Sequence, residues 1–136
     1  MTKNTTIKSV SKILVSIFSL ILIFHFLVLF GFIPFKIVWG GRINSESEMI
    51  LFESISIGIN LVMIGLVLTY SQIIKNNIPV KILRIGIWAM AVLFAVNTLG
   101  NILSLNNFEK WFFTPQTFIL SILCIWLALK NQPSQD

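Results

Sequence analysis

The stretch ILRIGIWAMAVLFAVNTLGNILS, residues 82–104, decides the fold. Arg84 is its one charged residue, and apolar side chains make up most of the remainder. A transmembrane helix requires about 20 mostly apolar residues to cross about 30 Å of hydrocarbon, and this stretch meets that length. It therefore predicts a membrane-spanning helix.

Three further apolar segments have a similar length, at residues 13–34, 49–70 and 112–129. The 136-residue chain is 56% hydrophobic and 11% charged, with a mean hydropathy of +0.90, which is far from the balance of a soluble domain. The sequence thus predicts an all-α polytopic membrane protein, an antiparallel up-down bundle of four transmembrane helices forming one domain over residues 1–136. The short connections leave no room for a soluble catalytic domain.

The first segment follows the basic stretch MTKNTTIKSVSK, as the apolar part of a signal peptide would. Its apolar run of about 21 residues exceeds the 7–15 residues of a secretory signal, and no small-x-small cleavage pattern follows it. We therefore expect a retained helix.

Basic residues are divided unequally between the two ends of the predicted bundle. One end has seven: Lys3, Lys8, Lys12, Lys75, Lys81, Arg84 and Lys130. The other has three, Lys36, Arg42 and Lys110, beside Glu46, Glu48 and Glu109. The only acid at the seven-residue end is Asp136. Because short cytoplasmic loops carry the excess of lysine and arginine, both termini are expected in the cytoplasm, and the net charge of +5 requires no nucleic-acid partner.

The chain offers little for catalysis. Cys124 is the single cysteine, so neither an intramolecular disulfide nor a CxxC redox pair can form, and its apolar surroundings favour a packing role. The sequence contains no metal-ligand cluster, nucleophile–base pair or phosphate-binding loop. We expect no cofactor and no metal, and an enzyme is the weakest of the functional classes considered.

Polar residues inside the apolar segments indicate where a site lies, because they are costly in lipid and face the bundle interior or a wet cavity. Two sets follow helical spacing: Glu53, Ser56 and Asn60 on the second helix, and Asn97, Gly100, Asn101 and Ser104 on the third. At 1.5 Å per residue, Glu53 and Asn97 both lie about 6–10 Å below the outer boundary, and His25 falls in the same half.

These sets predict that the second and third helices are neighbours. Small residues would allow the close approach: Ser54, Gly58, Gly65 or Asn60 on one side, and Ala91, Ala95 and Gly100 on the other. The asparagines are also explained by interhelical hydrogen bonding alone. Glu53 is equally compatible with a helix end that reaches headgroup water, and His25 with an ordinary interior histidine.

The connection after the first helix reads PFKIVWGGRINSESE, residues 34–48. Trp39 suits the membrane interface, and the glycine pair permits backbone conformations that other residues avoid. Arg42 can hold a carboxylate, a phosphate or a lipid headgroup, or pair with a nearby glutamate. Pro34 is expected to end the first helix, and TPQT at 114–117 resembles a helix start with Thr114 as the N-cap.

The segments VWGGR at 38–42, NTLGN at 97–101 and EKWFFTPQT at 109–117 together resemble a family of small bacterial four-helix inner-membrane proteins. The resemblance spans most of the chain from the first helix onward. It implies the four-helix architecture and an inner-membrane location, and it carries no assigned activity.

Two functional hypotheses follow. In the first, a polar pocket in the outer half of the bundle binds or transports a small amphipathic or lipid-like ligand. Its predicted lining residues are Glu53, Asn97, Asn101, His25 and Asn60, with Arg42 and Trp39 at the mouth. In the second, the protein is a non-catalytic assembly or accessory subunit whose polar stripes pack within its own bundle, in a homo-oligomer or against a membrane partner. The lipid bilayer is the expected surrounding partner in both.

Overall fold

The computed structural model describes residues 3–130, with side chains from residue 5 onward. Its long elements are four α-helices: α1 (Lys3–Leu29), α2 (Glu46–Tyr70), α3 (Val80–Ile102) and α4 (Asn107–Leu129). Each is long and apolar enough to cross a membrane, and no strand occurs in the described range. The predicted class, an all-α four-helix membrane bundle, is confirmed. The side chain of Lys3 and the acid Asp136, both used in the orientation argument, lie outside the described residues.

Alternate helices run in opposite directions, so the connections fall at two ends. We call the end that holds the α1–α2 and α3–α4 connections the WGG end, after Trp39–Gly41. The other end, which holds the α2–α3 connection and Lys130, is the terminal end. Two short 3₁₀ turns, Phe35–Ile37 and Trp39–Gly41, lie in the α1–α2 connection.

Helix α1 ends earlier than Pro34, the predicted boundary. Gly31 adopts a left-handed backbone with φ of 77°. The Gly31 N–H donates to the carbonyl of Val28 at 3.0 Å and the Phe32 N–H to that of Leu27 at 2.9 Å. These two bonds form a Schellman motif, in which a left-handed residue allows the chain to satisfy the last helical carbonyls.

Helix α4 begins before TPQT, so the prediction of Thr114 as its N-cap is wrong. The N-cap is Asn106, whose side-chain oxygen accepts a hydrogen bond from the Phe108 N–H at 2.8 Å. Pro115 lies inside the helix, where it lacks the N–H that would bond to the carbonyl of Trp111. In a membrane bundle, neighbouring groups commonly compensate for such a loss.

The bundle consists of two closely packed antiparallel pairs, α1 with α2 and α3 with α4. Contacts between α2 and α3, and between α1 and α4, are less extensive. The core joins all four helices, and the rings of Phe18 on α1 and Phe94 on α3 stack at 5.7 Å across it. Since lipid is as apolar as these side chains, van der Waals packing is the main source of this cohesion.

The predicted close contact between α2 and α3 through small residues is wrong. A Cβ built at Gly58, Gly65 or Gly100 meets no atom within 4 Å. The close approach occurs instead at Gly86, where a Cβ would lie 2.7 Å from a methyl group of Leu66. Of these four glycines, only Gly86 lies against the neighbouring helix, in the half of the bundle near the terminal end.

Candidate functional site

Glu53 is the centre of a polar cluster at the WGG end. It is 1% exposed, and each carboxylate oxygen has a different partner. Oε2 lies 2.6 Å from Nδ1 of His25 on α1, and Oε1 accepts a hydrogen bond from the indole Nε1 of Trp39 at 2.9 Å. A carboxyl group buried in a membrane bundle requires such partners, because an unpaired charge there is very costly. We call Glu53, His25 and Trp39 the Glu53 cluster.

The Glu53 cluster joins two helices and one connection. Glu53 lies on the buried face of α2 beside Met49 and Asn60, and His25 lies one turn before the end of α1. The His25 side chain is 20% exposed, so the imidazole is the member of this pair that reaches the protein surface. The similar depth of Glu53 and His25 inferred from the sequence thus corresponds to a direct contact between their side chains.

The backbone around Trp39 is strained in a way that serves this contact. Trp39, Gly40 and Gly41 have φ values of 57°, 69° and 69°, three left-handed residues in succession. The left-handed region costs a residue with a side chain about 1–2 kcal/mol, whereas glycine enters it freely. Contacts made by the indole, with Glu53 and with the ring of Phe52 at 5.1 Å between centroids, offset that cost.

A second buried carboxylate, Glu109, binds the same connection from α4. It is 8% exposed, and its Oε2 accepts hydrogen bonds from the Gly40 N–H and from the Ser104 hydroxyl, both at 2.6 Å. The Ser104 oxygen in turn accepts from the Asn106 N–H at 3.0 Å. We call Glu109, Ser104 and Gly40 the Glu109 cluster. Adjacent residues of one turn, Trp39 and Gly40, are therefore held by carboxylates from two different helices.

Sequence reasoning missed the role of Glu109 and treated it as a surface acid near Arg42. A signal was present: Asn106 followed three residues later by Glu109 has the spacing of a capping box, which marks a helix N-terminus. The carboxylate also lies in the first turn of α4, where the helix dipole favours negative charge. Its partner Gly40 lies 69 residues earlier in the chain, so no pattern in the sequence near Glu109 indicates this contact.

The predicted asparagines do not join the Glu53 cluster. Asn101 donates to the hydroxyl of Thr117 on α4 at 3.3 Å, and Thr98 bonds to the same hydroxyl at 2.9 Å. Asn97 is exposed on α3 and bonds to none of the described residues. Asn60 is buried, and no described group donates to its side-chain oxygen. The predicted pairing of the α2 and α3 polar stripes is therefore absent among the described residues.

Arg42 is exposed and forms no ion pair with a described carboxylate. Its side chain folds back over Gly40, since Nε would lie 3.4 Å from a Cβ at that glycine. Glu48, one of its expected partners, accepts instead from the Asn44 N–H at 2.9 Å. The guanidinium is thus free of carboxylate partners within the described range and lies next to the turn that both clusters hold.

An open groove of about 470 Å³ lies on this turn at the WGG end. It is lined by Lys36, Gly40, Gly41, Leu105, Asn106 and Asn107, and by none of the seven residues predicted from sequence. One basic side chain, two amides and the exposed apolar Leu105 are the groups it presents. The groove can therefore bind a molecule with an anionic, hydrogen-bonding head and an apolar part.

Residues 3–130 contain no group of three or more histidine, cysteine or acidic side chains placed to hold a metal ion. Cys124, the one cysteine, is buried in the core. Comparison of the chain with protein-family models, with curated proteins and with solved structures finds no match.

Proposed function

We propose that this integral membrane protein binds a lipid-like amphiphile with an anionic headgroup at its WGG end. The observation that carries the proposal is the groove over Gly40 and Gly41, with Lys36 and two amide side chains on its walls. A lysine near a membrane surface attracts an anionic lipid by about 1 kcal/mol, and the amides supply hydrogen-bond donors. Arg42, folded over Gly40, adds a second positive charge beside the groove.

The two buried carboxylates act in this proposal as positioning residues. Glu53 holds the Trp39 indole and Glu109 holds the Gly40 N–H, so the floor of the groove is bonded to α2 and to α4. His25 holds Glu53 in turn. The sequence predicts ligand contact for Glu53, His25 and Trp39. In this proposal the three residues support the turn under the groove and do not line it.

We also propose a location and an orientation for the protein in the membrane. The excess of basic residues at the terminal end favours a cytoplasmic position for it, and hence an outward-facing groove. The resemblance to small bacterial four-helix proteins favours the bacterial inner membrane. Cysteines introduced at Ser47 and Asn77 test the orientation: an impermeant thiol reagent added to intact cells should label only the first, and labelling of only the second would reverse it.

Lipid selectivity tests the binding function. The protein is reconstituted into nanodiscs containing equal amounts of phosphatidylglycerol and phosphatidylcholine, and retained lipids are counted by native mass spectrometry. We expect wild type to retain phosphatidylglycerol about fivefold over phosphatidylcholine, equivalent to about 1 kcal/mol. Lys36→Gln should lower this preference at least twofold, because Arg42 remains beside the groove.

Lys110→Gln is the matched control, because Lys110 lies at the same end but does not line the groove. It should retain the preference of wild type. Equal retention of the two lipids by wild type, or equal loss in the two variants, would show that the groove does not select an anionic headgroup.

A further inference from the structure

A second cavity, of about 200 Å³, lies at the terminal end, where α1 begins and α4 ends. It is lined by Thr6, Ile7, Trp126 and Lys130, and we call it the Lys130 cavity. Ile7 belongs to the buried core, whereas the other three side chains are half-buried. The apolar spans begin at Thr5 and end at Leu129 on this side. The cavity is therefore a recess at the edge of the core, at the level where the bundle leaves the hydrocarbon.

Lys130 is held at this recess by its backbone and by its side chain. Its N–H donates to the carbonyl of Leu127 at 3.1 Å, and its carbonyl accepts from the hydroxyl of Tyr70 at 2.6 Å. Tyr70 is fully buried on α2, so this bond fixes the end of α4 against the bundle. The Lys130 ammonium lies 5.2 Å from the Trp126 ring centroid, a cation–π contact. The positive charge is thus held beside the cavity by the protein itself.

The polar groups that line the Lys130 cavity are hydrogen-bond donors. The Lys130 ammonium and the Trp126 indole N–H can only donate, and the Thr6 hydroxyl can donate as well. None of the three side chains bonds to an acceptor within residues 5–130, and Lys130 forms no ion pair with a described carboxylate. Three donors from two helices therefore surround one recess that supplies no carboxylate of its own.

The charge around the cavity favours an anion. The acids among the described residues all lie at the WGG end: Glu46, Glu48, Glu53 and Glu109. The partial positive charge at the start of α1 and the partial negative charge at the end of α4 meet here and largely offset each other, so Lys130 sets the sign. A cationic group bound at this end would meet no carboxylate from the described range.

We infer that the Lys130 cavity binds the phosphate of an anionic phospholipid in the leaflet at the terminal end. A phosphate diester presents charged oxygens that accept from lysine, indole and hydroxyl donors. The lipid is favoured over free phosphate because the cavity lies where the spans leave the hydrocarbon, which is the level of lipid phosphates. An anionic headgroup is favoured over choline, whose cation would lack a described partner. This site lies at the opposite end from the groove and does not depend on the proposed function.

Nuclear magnetic resonance of the indole N–H groups tests the site. The protein, labelled with ¹⁵N at tryptophan, is placed in phosphatidylcholine nanodiscs with an increasing fraction of phosphatidylglycerol. The Trp126 signal, assigned by its loss in Trp126→Phe, should move downfield and saturate, because a hydrogen bond to a charged oxygen deshields the proton. The signal of Trp88, which lies on α3 and does not line the cavity, should not move.

Lys130→Gln removes the charge but keeps the backbone carbonyl that Tyr70 binds, so the fold is retained. It should raise the phosphatidylglycerol fraction at half-saturation about fivefold. Lys75→Gln is the matched control, because Lys75 is exposed at the same end and does not line the cavity. It should raise that fraction less than about twofold. Thr6→Val keeps the side-chain volume without the hydroxyl and should raise it at least about twofold.

A Trp126 signal that stays in place, or that drifts without saturating, would overturn the inference. Equal titrations of Lys130→Gln and Lys75→Gln would do the same, because they would assign the effect to the general charge of this end. Inorganic phosphate added to phosphatidylcholine nanodiscs distinguishes the source of the anion. An equal shift with phosphate alone would show that the cavity takes a free anion and would refute a lipid site.

Lys36→Gln separates this inference from the proposed function. It should leave the Trp126 titration unchanged while it lowers the lipid preference measured by mass spectrometry. A saturable Trp126 shift together with unchanged lipid preference in Lys36→Gln would refute the groove and support the Lys130 cavity. A Trp126 titration weakened by Lys36→Gln as much as by Lys130→Gln would contradict a separate site at the terminal end.

Discussion

Different interactions stabilise the two ends of the bundle. At the WGG end, the Glu53 and Glu109 clusters bind the α1–α2 connection through charged acceptors. At the terminal end, the fully buried Tyr70 donates its hydroxyl to the carbonyl of Lys130 at 2.6 Å, and the Lys130 ammonium lies 5.2 Å from the Trp126 ring centroid. Hydrogen bonds to a buried carboxylate are directional and sensitive to loss of one partner. The neutral hydrogen bond of Tyr70 contributes less, because the ring still packs when the hydroxyl is lost. The comparison predicts a graded set of mutational effects.

The largest effect is expected for Glu53→Leu. This change leaves His25 and the Trp39 indole without their acceptor, and each buried donor left unsatisfied costs about 1–3 kcal/mol, or about 2–6 kcal/mol together. The midpoint of thermal unfolding in detergent should fall accordingly. Glu53→Gln preserves the shape and an acceptor for Trp39, so its loss should be less than half as large. A Glu53→Leu variant as stable as wild type would mean that the Glu53 cluster does not hold the WGG end.

Glu109→Ala should have the next largest effect. It removes the acceptor of the Gly40 N–H and of the Ser104 hydroxyl, and a hydrogen bond to a charged group contributes about 1.5–3 kcal/mol. We expect a loss of about 2–4 kcal/mol in the same unfolding assay. Glu46→Ala, which removes an exposed acid at the same end, is the control and should cost less than about 1 kcal/mol. Equal losses in the two variants would contradict the assigned role of Glu109.

At the terminal end, Tyr70→Phe should cost only about 0.5–1.5 kcal/mol, because one neutral hydrogen bond is lost and the ring still packs. Thermal unfolding of Tyr70→Phe and of Glu109→Ala under the same conditions measures the difference in stability contributed by the two ends. If Tyr70→Phe were the more destabilising of the two, the neutral hydrogen bond at the terminal end would be stronger than the carboxylate contacts at the WGG end, and the comparison would be reversed.

The smallest expected effect is a gain in stability. Gln72 follows α2 in a left-handed conformation with φ of 57°, the position that glycine ordinarily occupies after a helix. Gln72→Gly should therefore stabilise the protein by up to about 1 kcal/mol. Gln72→Ala keeps the Cβ and should show no gain. Comparable gains in both variants would assign the effect to the lost side-chain amide and not to the backbone.

Helical periodicity and depth predicted only part of the candidate site. Helical periodicity and depth placed Glu53 and His25 at one level, and the structure brings them into contact. Periodicity also placed Asn97 and Asn101 on one polar stripe, yet Asn101 bonds to α4 and Asn97 is exposed. A polar stripe indicates which residues share one face of a helix. The rotation of each helix in the bundle decides which neighbouring helix that face contacts.

The glycines show the same distinction. Gly58, Gly65 and Gly100 suggested a close contact by composition, whereas Gly86 makes it. Small residues permit close approach without requiring it, and the position of closest approach depends on how two helices cross. Sequence reasoning had no measure of that crossing.

By itself, the sequence determined that this is a membrane protein of four spanning helices, because hydrocarbon thickness sets the length of each apolar run and every segment carries that information locally. Only the tertiary structure decided that Trp39 and Gly40, two adjacent residues, are held by Glu53 and Glu109 from α2 and α4. Those contacts join residues separated by 14 and 69 positions. Their geometry depends on helix rotation, on the ends of α1 and α4 and on three left-handed residues in a row, none of which follows from hydropathy.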